Sequence, residues 1–153
     1  MLESVHEGYA FSSDPARLQL PVIHGFLSRC YWAEGIPEET VRRSLVHSMC
    51  FGVYAPDGAQ VAFARVVSDR ATFAYLADVF VLEDHRGRGL AERLVRMILA
   101  EPDLQGLRRF MLGTRDAHPL YAKLGFSVVA RPEIWMEIAQ LDIYRRREEA
   151  QAS

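Results

Sequence analysis

The chain has 153 residues, half of them hydrophobic and a quarter charged, and its formal net charge is −2. This size and composition predict a single globular domain over residues 1–153, in which 139–153 is either a final helix or a frayed tail. The near-neutral charge argues against general nucleic-acid binding. The sequence shows no signal-like or membrane-length apolar run, so we expect a cytoplasmic protein whose two cysteines, Cys30 and Cys50, are buried free thiols.

The first fifty residues predict one short strand and two helices. The strand is expected over residues 8–12, where aromatic and small residues precede a Ser-Ser-Asp-Pro turn. Pro21 fits the first turn of a helix, because the N–H that proline lacks has no intrahelical acceptor there. A second helix is expected over residues 38–48, with Glu38 and Glu39 at the end where the helix dipole favours negative charge.

The rest of the chain alternates between strand and helix patterns. Three antiparallel strands are expected first, and a Pro-Asp-Gly turn joins the first two of them. A helix begins at Leu90, because apolar residues then recur at helical spacing up to Leu99. The strands are predicted over residues 51–55, 60–67, 72–82, 109–113, 127–130 and 134–138, and a short helix over 120–124.

A glycine-rich turn, Arg86-Gly87-Arg88-Gly89-Leu90-Ala91, joins the strand over 72–82 to the helix that follows. Glycines at the start of a helix expose backbone N–H groups, and the helix dipole and nearby arginines add positive charge. The turn therefore predicts a phosphate-binding site, and a tight turn with solvated arginines is the alternative. It contains neither a P-loop nor the third glycine of the dinucleotide-binding fingerprint.

Two motifs resemble those of the GNAT acetyltransferase superfamily. The glycine-rich turn is similar to the acyl-CoA motif R/Q-x-x-G-x-G/A, at Arg86, Gly89 and Ala91. Residues 114–126 resemble N-x-x-A-x-x-L-Y-x-K-x-G-F, with Thr114 in place of Asn. The second motif matches at Ala117, Leu120, Tyr121, Lys123, Gly125 and Phe126.

The resemblance covers about residues 60–138 and implies a mixed α/β (α+β) fold. That fold has a mostly antiparallel sheet of six to seven strands, with helices on both faces. The fourth and fifth strands, 72–82 and 109–113, flank a helix, and a strand–helix–strand crossover is normally parallel. We expect these two strands to diverge and to admit the pantetheine arm of coenzyme A.

The resemblance also implies acetyl-CoA as the acyl-donor cosubstrate, with no metal. Backbone amides of the glycine-rich turn would hold the pyrophosphate of CoA, and a backbone N–H at Phe80 or Val81 would bind the thioester oxygen. Thr114 replaces an Asn that commonly bonds the pantetheine arm, although a hydroxyl still donates and accepts. The implied cofactor-binding residues are Phe80, Val81, Arg86, Gly87, Arg88, Gly89, Leu90, Ala91, Thr114 and Ala117.

Four further residues are candidates for catalysis and acceptor binding. Tyr121 lies where the family has the phenol that protonates the leaving thiolate, and an aromatic packing role is its alternative. Asp78 is an acid within an apolar strand, where a carboxylate must be paired or functional. In a functional role, Asp78 relays the proton of the amine or binds the ammonium. In a structural role, it caps a bulge or pairs with an arginine. Tyr31 and Trp32 are expected on the wall of the acceptor cleft.

These features predict an N-acetyltransferase that moves acetyl from acetyl-CoA to a primary amine by direct attack. The acceptor is a small molecule or an amino terminus. The alternative is a CoA or acyl-CoA sensor without turnover, and a nucleotide-binding regulator has less support. The expected partner is a small-molecule amine, with neither nucleic acid nor membrane, and a homodimer is left open.

Overall fold

A computed structural model of the chain describes residues 1–152, apart from the side chain of Glu148. The described residues form one sheet of six strands and five α-helices, joined by turns and short 3-10 segments. The strands are β1 (Glu3–His6), β2 (Tyr9–Ser12), β3 (Met49–Tyr54), β4 (Gln60–Ser68), β5 (Phe73–Val81) and β6 (Arg109–Leu112). The helices are α1 (Leu20–Leu27), α2 (Glu38–Val46), α3 (Leu90–Leu99), α4 (His118–Lys123) and α5 (Ile143–Ala152).

The strands lie in chain order across the sheet, and only the last pair is parallel. β1 to β5 pair antiparallel with their neighbours, whereas β5 and β6 run parallel on either side of the α3 crossover. Their pairing extends only from Phe73↔Arg109 to Leu76↔Leu112, while β5 continues to Val81. The two strands therefore separate beyond Leu76, which confirms the expected divergence between them.

The sheet buries both of its faces against helices. On one face α3 contributes Leu90, Leu94, Val95 and Ile98 to the larger core cluster. On the other face Ile23, Leu27 and Val41 of α1 and α2 pack with Phe63 and Phe80 of the sheet. Because successive strand residues point to opposite faces, β4 supplies Phe63 to one core and its neighbours Ala62 and Ala64 to the other. This arrangement confirms the expected mixed α/β fold.

The central strand β5 contains a β-bulge. The register between β4 and β5 shifts between Phe63 and Arg65, so that Arg65 pairs with Ala77 and Phe63 with Phe80. Two residues of β5, Asp78 and Val79, therefore lie opposite the single residue Ala64 of β4, and Asp78 has a positive φ of 57°. Aspartate tolerates this left-handed conformation better than most residues, because its short polar side chain bonds locally. The bulge bends the strand where it runs beside the gap that β6 leaves.

Two of the predicted strands are absent, and those predictions were wrong. Residues 127–130 and 134–138 form neither strands nor pairs with β6. Pro132 begins a 3-10 turn, Pro132–Ile134, and proline has no N–H to donate to a ladder. An apolar, β-prone pattern does not become a strand unless another edge pairs with it.

The remaining differences lie at the ends of elements. β1 was not predicted, because Glu-Ser-Val-His carries a single apolar residue and no alternation; it forms through its hairpin with β2. α2 ends at Val46, two residues before the predicted 48, and α4 begins at His118 rather than 120. The tail contains α5, while Ser153 lies outside the described residues. Within residues 1–152, no helix combines the length and apolarity that crossing a membrane needs.

Candidate active site

The glycine-rich turn opens onto solvent at the start of α3. Gly87 and Gly89 have φ of 78° and 74°, a region that side-chain-bearing residues rarely adopt, and Gly89 is the N-cap of α3. A Cβ atom at either position would meet nothing within 4 Å, so backbone conformation rather than crowding requires these glycines. Leu90 is buried and anchors the helix, while Arg88 beside it is exposed. The turn thus presents unhindered N–H groups and positive charge to an anion.

The strand geometry distinguishes the two candidate amides, Phe80 and Val81. The Leu82 N–H donates a hydrogen bond of 2.8 Å to the Val61 carbonyl oxygen, so it faces the β4 edge. Because backbone groups of successive strand residues face alternate edges, Phe80 also faces β4 and Val81 faces the opposite edge. Arg86 Nε donates to the Val81 carbonyl on that edge at 2.9 Å. The Val81 N–H therefore faces the gap that β6 leaves unpaired.

Tyr121 lies in α4, next to the strand that borders the gap. It is 8% exposed, and its ring meets Phe126 edge to face at 5.9 Å, while Phe126 meets Phe110 of β6 at 5.6 Å. Burial raises the pKa of Tyr121 above its ordinary value, and the nearby Tyr31 phenol adds to the rise. Its hydroxyl makes no hydrogen bond within the described residues. Tyr121 is thus a protonated phenol without an internal acceptor.

Thr114 and Ala117 shape the turn that leads into α4. The Thr114 hydroxyl oxygen accepts a hydrogen bond of 3.0 Å from the backbone N–H of Ala117. This bond uses one acceptor position of the hydroxyl and leaves its O–H able to donate. The replacement of Asn by Thr therefore preserves a donor at the far border of the gap.

Asp78 is held by two donors on its side chain. Trp32 Nε1 donates to one carboxylate oxygen and Arg65 Nε to the other, both at 2.9 Å. Arg65 also donates from Nη1 to Ser48 Oγ at 3.2 Å, and the Arg65 and Asp78 side chains are only 19% and 12% exposed. This geometry matches the alternative in which Asp78 occupies a bulge and pairs with an arginine. A direct part in proton transfer stays a prediction, since each carboxylate oxygen has a second acceptor position.

Aromatic side chains and one arginine form a wall beside Tyr121. Tyr31 and Trp32 meet edge to face at 5.1 Å in the loop between α1 and α2, and both are partly exposed. The Arg115 guanidinium lies 3.8 Å from the centre of the Tyr31 ring. Behind the wall, Phe26 stacks on Phe80 at 4.1 Å and fixes α1 against β5. The wall therefore offers apolar surface and the Arg115 guanidinium. It also contacts Asp78, whose charge is paired with that of Arg65.

Two residues at this site were missed by sequence reasoning. Arg65 interrupts the apolar run of β4 just as Asp78 interrupts β5, and aligning the two strands as a hairpin would have placed them together. Arg115 occupies an unspecified position of the second motif, and no sequence signal marks it. Its role follows only from its contact with Tyr31 across the loop.

The gap between β5 and β6 thus combines three chemical features. The exposed glycine-rich turn lies at one end, an N–H donor at Val81 faces its middle, and a buried phenol at Tyr121 borders it. These groups fit a ligand that carries both phosphates and a polarisable carbonyl beside a leaving group. Among residues 1–152, no group of His, Cys, Asp and Glu side chains is arranged to hold a metal ion.

Comparison with known proteins agrees with this geometry. The model of the acetyltransferase (GNAT) family matches residues 20–126. A candidate acetyltransferase of Gibberella zeae is 36% identical over 137 residues, which cover 75% of this chain and 76% of that protein. The crystal structure of a candidate GNAT-family acetyltransferase from Xanthomonas campestris pv. campestris is 51% identical, with a TM-score of 0.87 over 89% of this chain and 96% of that one.

A third similarity concerns the fold alone. A candidate acetyltransferase from Clostridium acetobutylicum, solved with acetyl-CoA, aligns with a TM-score of 0.61 at 16% identity, covering 88% of this chain and 96% of that one. The family model spans more than half of the chain and the two nearer relatives agree with it. The chain belongs to the GNAT family of acetyltransferases.

Proposed function

We propose that this protein is an N-acetyltransferase that moves the acetyl group of acetyl-CoA to a primary amine of a small molecule or an amino terminus. The amine attacks the thioester carbonyl directly, a C–N bond forms, and the C–S bond breaks to release CoA. The single observation that carries the proposal is the joint position of the Val81 N–H and the protonated Tyr121 phenol at the gap where β5 and β6 separate.

Each group supplies one part of that reaction. The turn at Gly87 and Gly89 binds the pyrophosphate through backbone N–H groups, aided by Arg86 and Arg88. The Val81 N–H donates to the carbonyl oxygen, whose negative charge grows as the amine attacks. Tyr121 gives its proton to the departing sulfur, for which its raised pKa keeps the proton available at neutral pH.

The acceptor side is lined by Tyr31, Trp32 and Arg115. An amine of ordinary basicity is mostly protonated at pH 7 and must lose a proton before it attacks. Asp78 is the acid in direct contact with this wall, because Trp32 Nε1 donates a hydrogen bond to its carboxylate. We assign Asp78 the role of binding the ammonium or passing its proton to water, in addition to holding Trp32.

A turnover assay tests the proposal. Purified protein is mixed with acetyl-CoA and a panel of amino acids, amino sugars, polyamines and short peptides, and thiol release is followed together with the mass of the product. We expect at least one amine to gain 42 mass units, the ordinary mass of an acetyl group replacing hydrogen, at about 1 s⁻¹ or faster. Tight CoA binding with no thiol release from any amine would instead support the sensor.

A further inference from the structure

Two charged side chains lie on the wall beside Tyr121, one on each of its aromatic rings. The Arg115 guanidinium lies 3.8 Å from the centre of the Tyr31 ring. Trp32 Nε1 donates a hydrogen bond of 2.9 Å to the Asp78 carboxylate. The two rings meet edge to face at 5.1 Å, and they are 52% and 38% exposed. The wall therefore has a basic side and an acidic side, with exposed aromatic surface between them.

The fold balances only one of these two charges. Arg65 Nε lies 2.9 Å from the Asp78 carboxylate, so that acid is paired. Arg115 is exposed and has neither an ion pair nor a hydrogen bond to any of residues 1–152. Glu34, in the same loop as Tyr31, lies 4.0 Å from Arg145 instead. The wall thus presents a positive charge that the described part of the chain does not offset.

The position of Arg115 is fixed through both its backbone and its side chain. Its backbone lies within the turn that the hydrogen bond between the Ala117 N–H and the Thr114 hydroxyl closes at 3.0 Å. Its side chain is attracted to the face of the Tyr31 ring. A guanidinium over a ring keeps its N–H donors available, because they point outward in its own plane. Arg115 can therefore donate two parallel hydrogen bonds to a carboxylate or a phosphate.

Arg115 also lies near the groups that are proposed to react. The Tyr31 phenol is close enough to Tyr121 to add to the rise in the pKa of Tyr121. Thr114, the neighbour of Arg115 in the chain, borders the gap in which the thioester would lie. A small amine whose nitrogen reaches the thioester would therefore have its other end against the wall.

We propose that the acceptor is a small amine that also carries a compact oxyanion, a carboxylate or a phosphate, and that Arg115 binds this oxyanion and determines specificity. This inference rests on the proposed N-acetyltransferase function. The apolar part of the acceptor lies on Tyr31 and Trp32, and its nitrogen faces the gap. Acetylation replaces one N–H bond of the amine with an N–C bond and leaves the oxyanion unchanged. A polyamine is disfavoured, because it would bring further cations toward Arg115.

Calorimetry with the CoA-loaded protein tests the oxyanion site without requiring turnover. The probes are matched pairs: the common amino acids against their amides, and phosphoethanolamine against ethanolamine. At least one anionic amine should bind with a Kd of about 1 mM or lower, and its neutral counterpart at least about tenfold more weakly. The pair that shows this difference identifies the oxyanion as a carboxylate or a phosphate. If no anionic amine binds, or if each neutral amine binds as well as its anionic counterpart, the proposal is wrong.

Variants of Arg115 test its role in specificity. In Arg115→Gln, the KM for the best anionic acceptor should rise about tenfold to a hundredfold with kcat nearly unchanged. The KM for the matched amide and the Kd for CoA should stay the same. Arg115→Lys keeps the charge without the forked donors and should recover part of the loss. The control Arg43→Gln removes an exposed arginine of α2 that has no ion pair within residues 1–152, and it should match the unmodified protein.

The outcomes separate this inference from the proposed function. If anionic amines bind through Arg115 but acetyl-CoA acetylates none of them, the acetyltransferase proposal fails and the oxyanion site stands. If polyamines or amides are acetylated as well as anionic amines, and Arg115→Gln has no effect, the acetyltransferase stands and the oxyanion site fails. An equal rise in KM for the acid and its amide would show that Arg115 only holds the loop at Tyr31, which would also overturn the oxyanion site.

Discussion

At the scale of single residues, Tyr121 carries the sharpest prediction about the reaction. Replacing it with Phe removes the hydroxyl and keeps the ring contact with Phe126. If the phenol protonates the leaving sulfur, kcat should fall by about 10²–10⁴, while the Kd for acetyl-CoA should change little. Steady-state kinetics with the best acceptor and calorimetry with CoA measure the two quantities separately.

The pH dependence gives Tyr121→Phe an internal control. Because burial raises the pKa of Tyr121 above its ordinary value of 10.0, the unmodified protein should keep its general acid beyond pH 10 and lose kcat only at higher pH. The variant should lack this alkaline loss. An unchanged kcat in Tyr121→Phe would mean that water protonates the sulfur, and a lower melting temperature with a proportionate loss of activity would indicate a packing role.

At the scale of secondary-structure elements, the start of α3 is the proposed site for the pyrophosphate of CoA. Gly89→Asp adds a negative charge beside the exposed N–H groups, and it should weaken CoA binding at least about tenfold. Gly58→Asp is a matched control, because Gly58 has a similar φ of 88° and equally open surroundings in the β3–β4 turn. Both changes should cost up to about 1 kcal/mol of folding free energy from backbone strain, because Asp tolerates the left-handed conformation better than most residues.

Calorimetric titration with CoA and thermal melting separate the two effects of these glycine variants. Only Gly89→Asp should lose affinity, whereas both should melt lower than the unmodified protein. Equal CoA affinity in all three proteins would show that the pyrophosphate binds elsewhere.

The bulge in β5 connects the central strand to the wall formed by Tyr31, Trp32 and Arg115. Asp78→Asn keeps a residue that tolerates the left-handed conformation, but it leaves the Arg65 charge without its carboxylate. We expect a loss of about 1–3 kcal/mol in the free energy of unfolding. Trp32 fluorescence should also shift, because its indole N–H loses a charged acceptor.

A pH profile of kcat in Asp78→Asn then separates positioning from proton transfer. A positioning role predicts a higher KM with an unshifted profile, whereas a proton-transfer role predicts a lower kcat below the pKa of the amine. Unchanged stability together with unchanged Trp32 emission would contradict the bond between these side chains.

At the scale of the whole molecule, the buried thiol of Cys50 and phenol of Tyr54 should make the free energy of unfolding fall at alkaline pH. Burial raises the pKa of Cys50 from 9.0 to about 12 and that of Tyr54 from 10.0 to about 12. The unfolded chain releases these protons at lower pH than the folded one, so stability is full below pH 9 and falls as pH rises toward 12. Each group contributes a slope of about 1.4 kcal/mol per pH unit within its window.

Denaturant unfolding at several pH values measures that slope. Cys50→Ala should flatten it between pH 9 and 12, while Cys30→Ala should flatten it less, because the Cys30 thiol is less buried. Parallel slopes in the two variants and the unmodified protein would contradict the contribution of Cys50.

Local patterns predicted much of this molecule, and contacts distant in sequence account for what they missed. α3 and its glycine turn follow from helical spacing and from residues without Cβ atoms, both of which are local. The bond between Trp32 and Asp78 joins positions 46 residues apart, so only the folded sheet reveals it. Residues 134–138 fail in the opposite way: their pattern suits a strand, but in the fold they do not pair with the edge of β6.

The separation of β5 from β6 has a consequence for how the sheet holds together. Only four residue pairs, from Phe73↔Arg109 to Leu76↔Leu112, join β6 to the rest of the sheet, and β5 beyond Leu76 has no partner on this side. A pantetheine arm lying in the gap would act as a surrogate strand, bonding backbone groups that a neighbouring chain segment would otherwise satisfy. Ligand binding should then slow amide exchange in β6 far more than in the distant β1–β2 hairpin, and each release of product reopens the sheet.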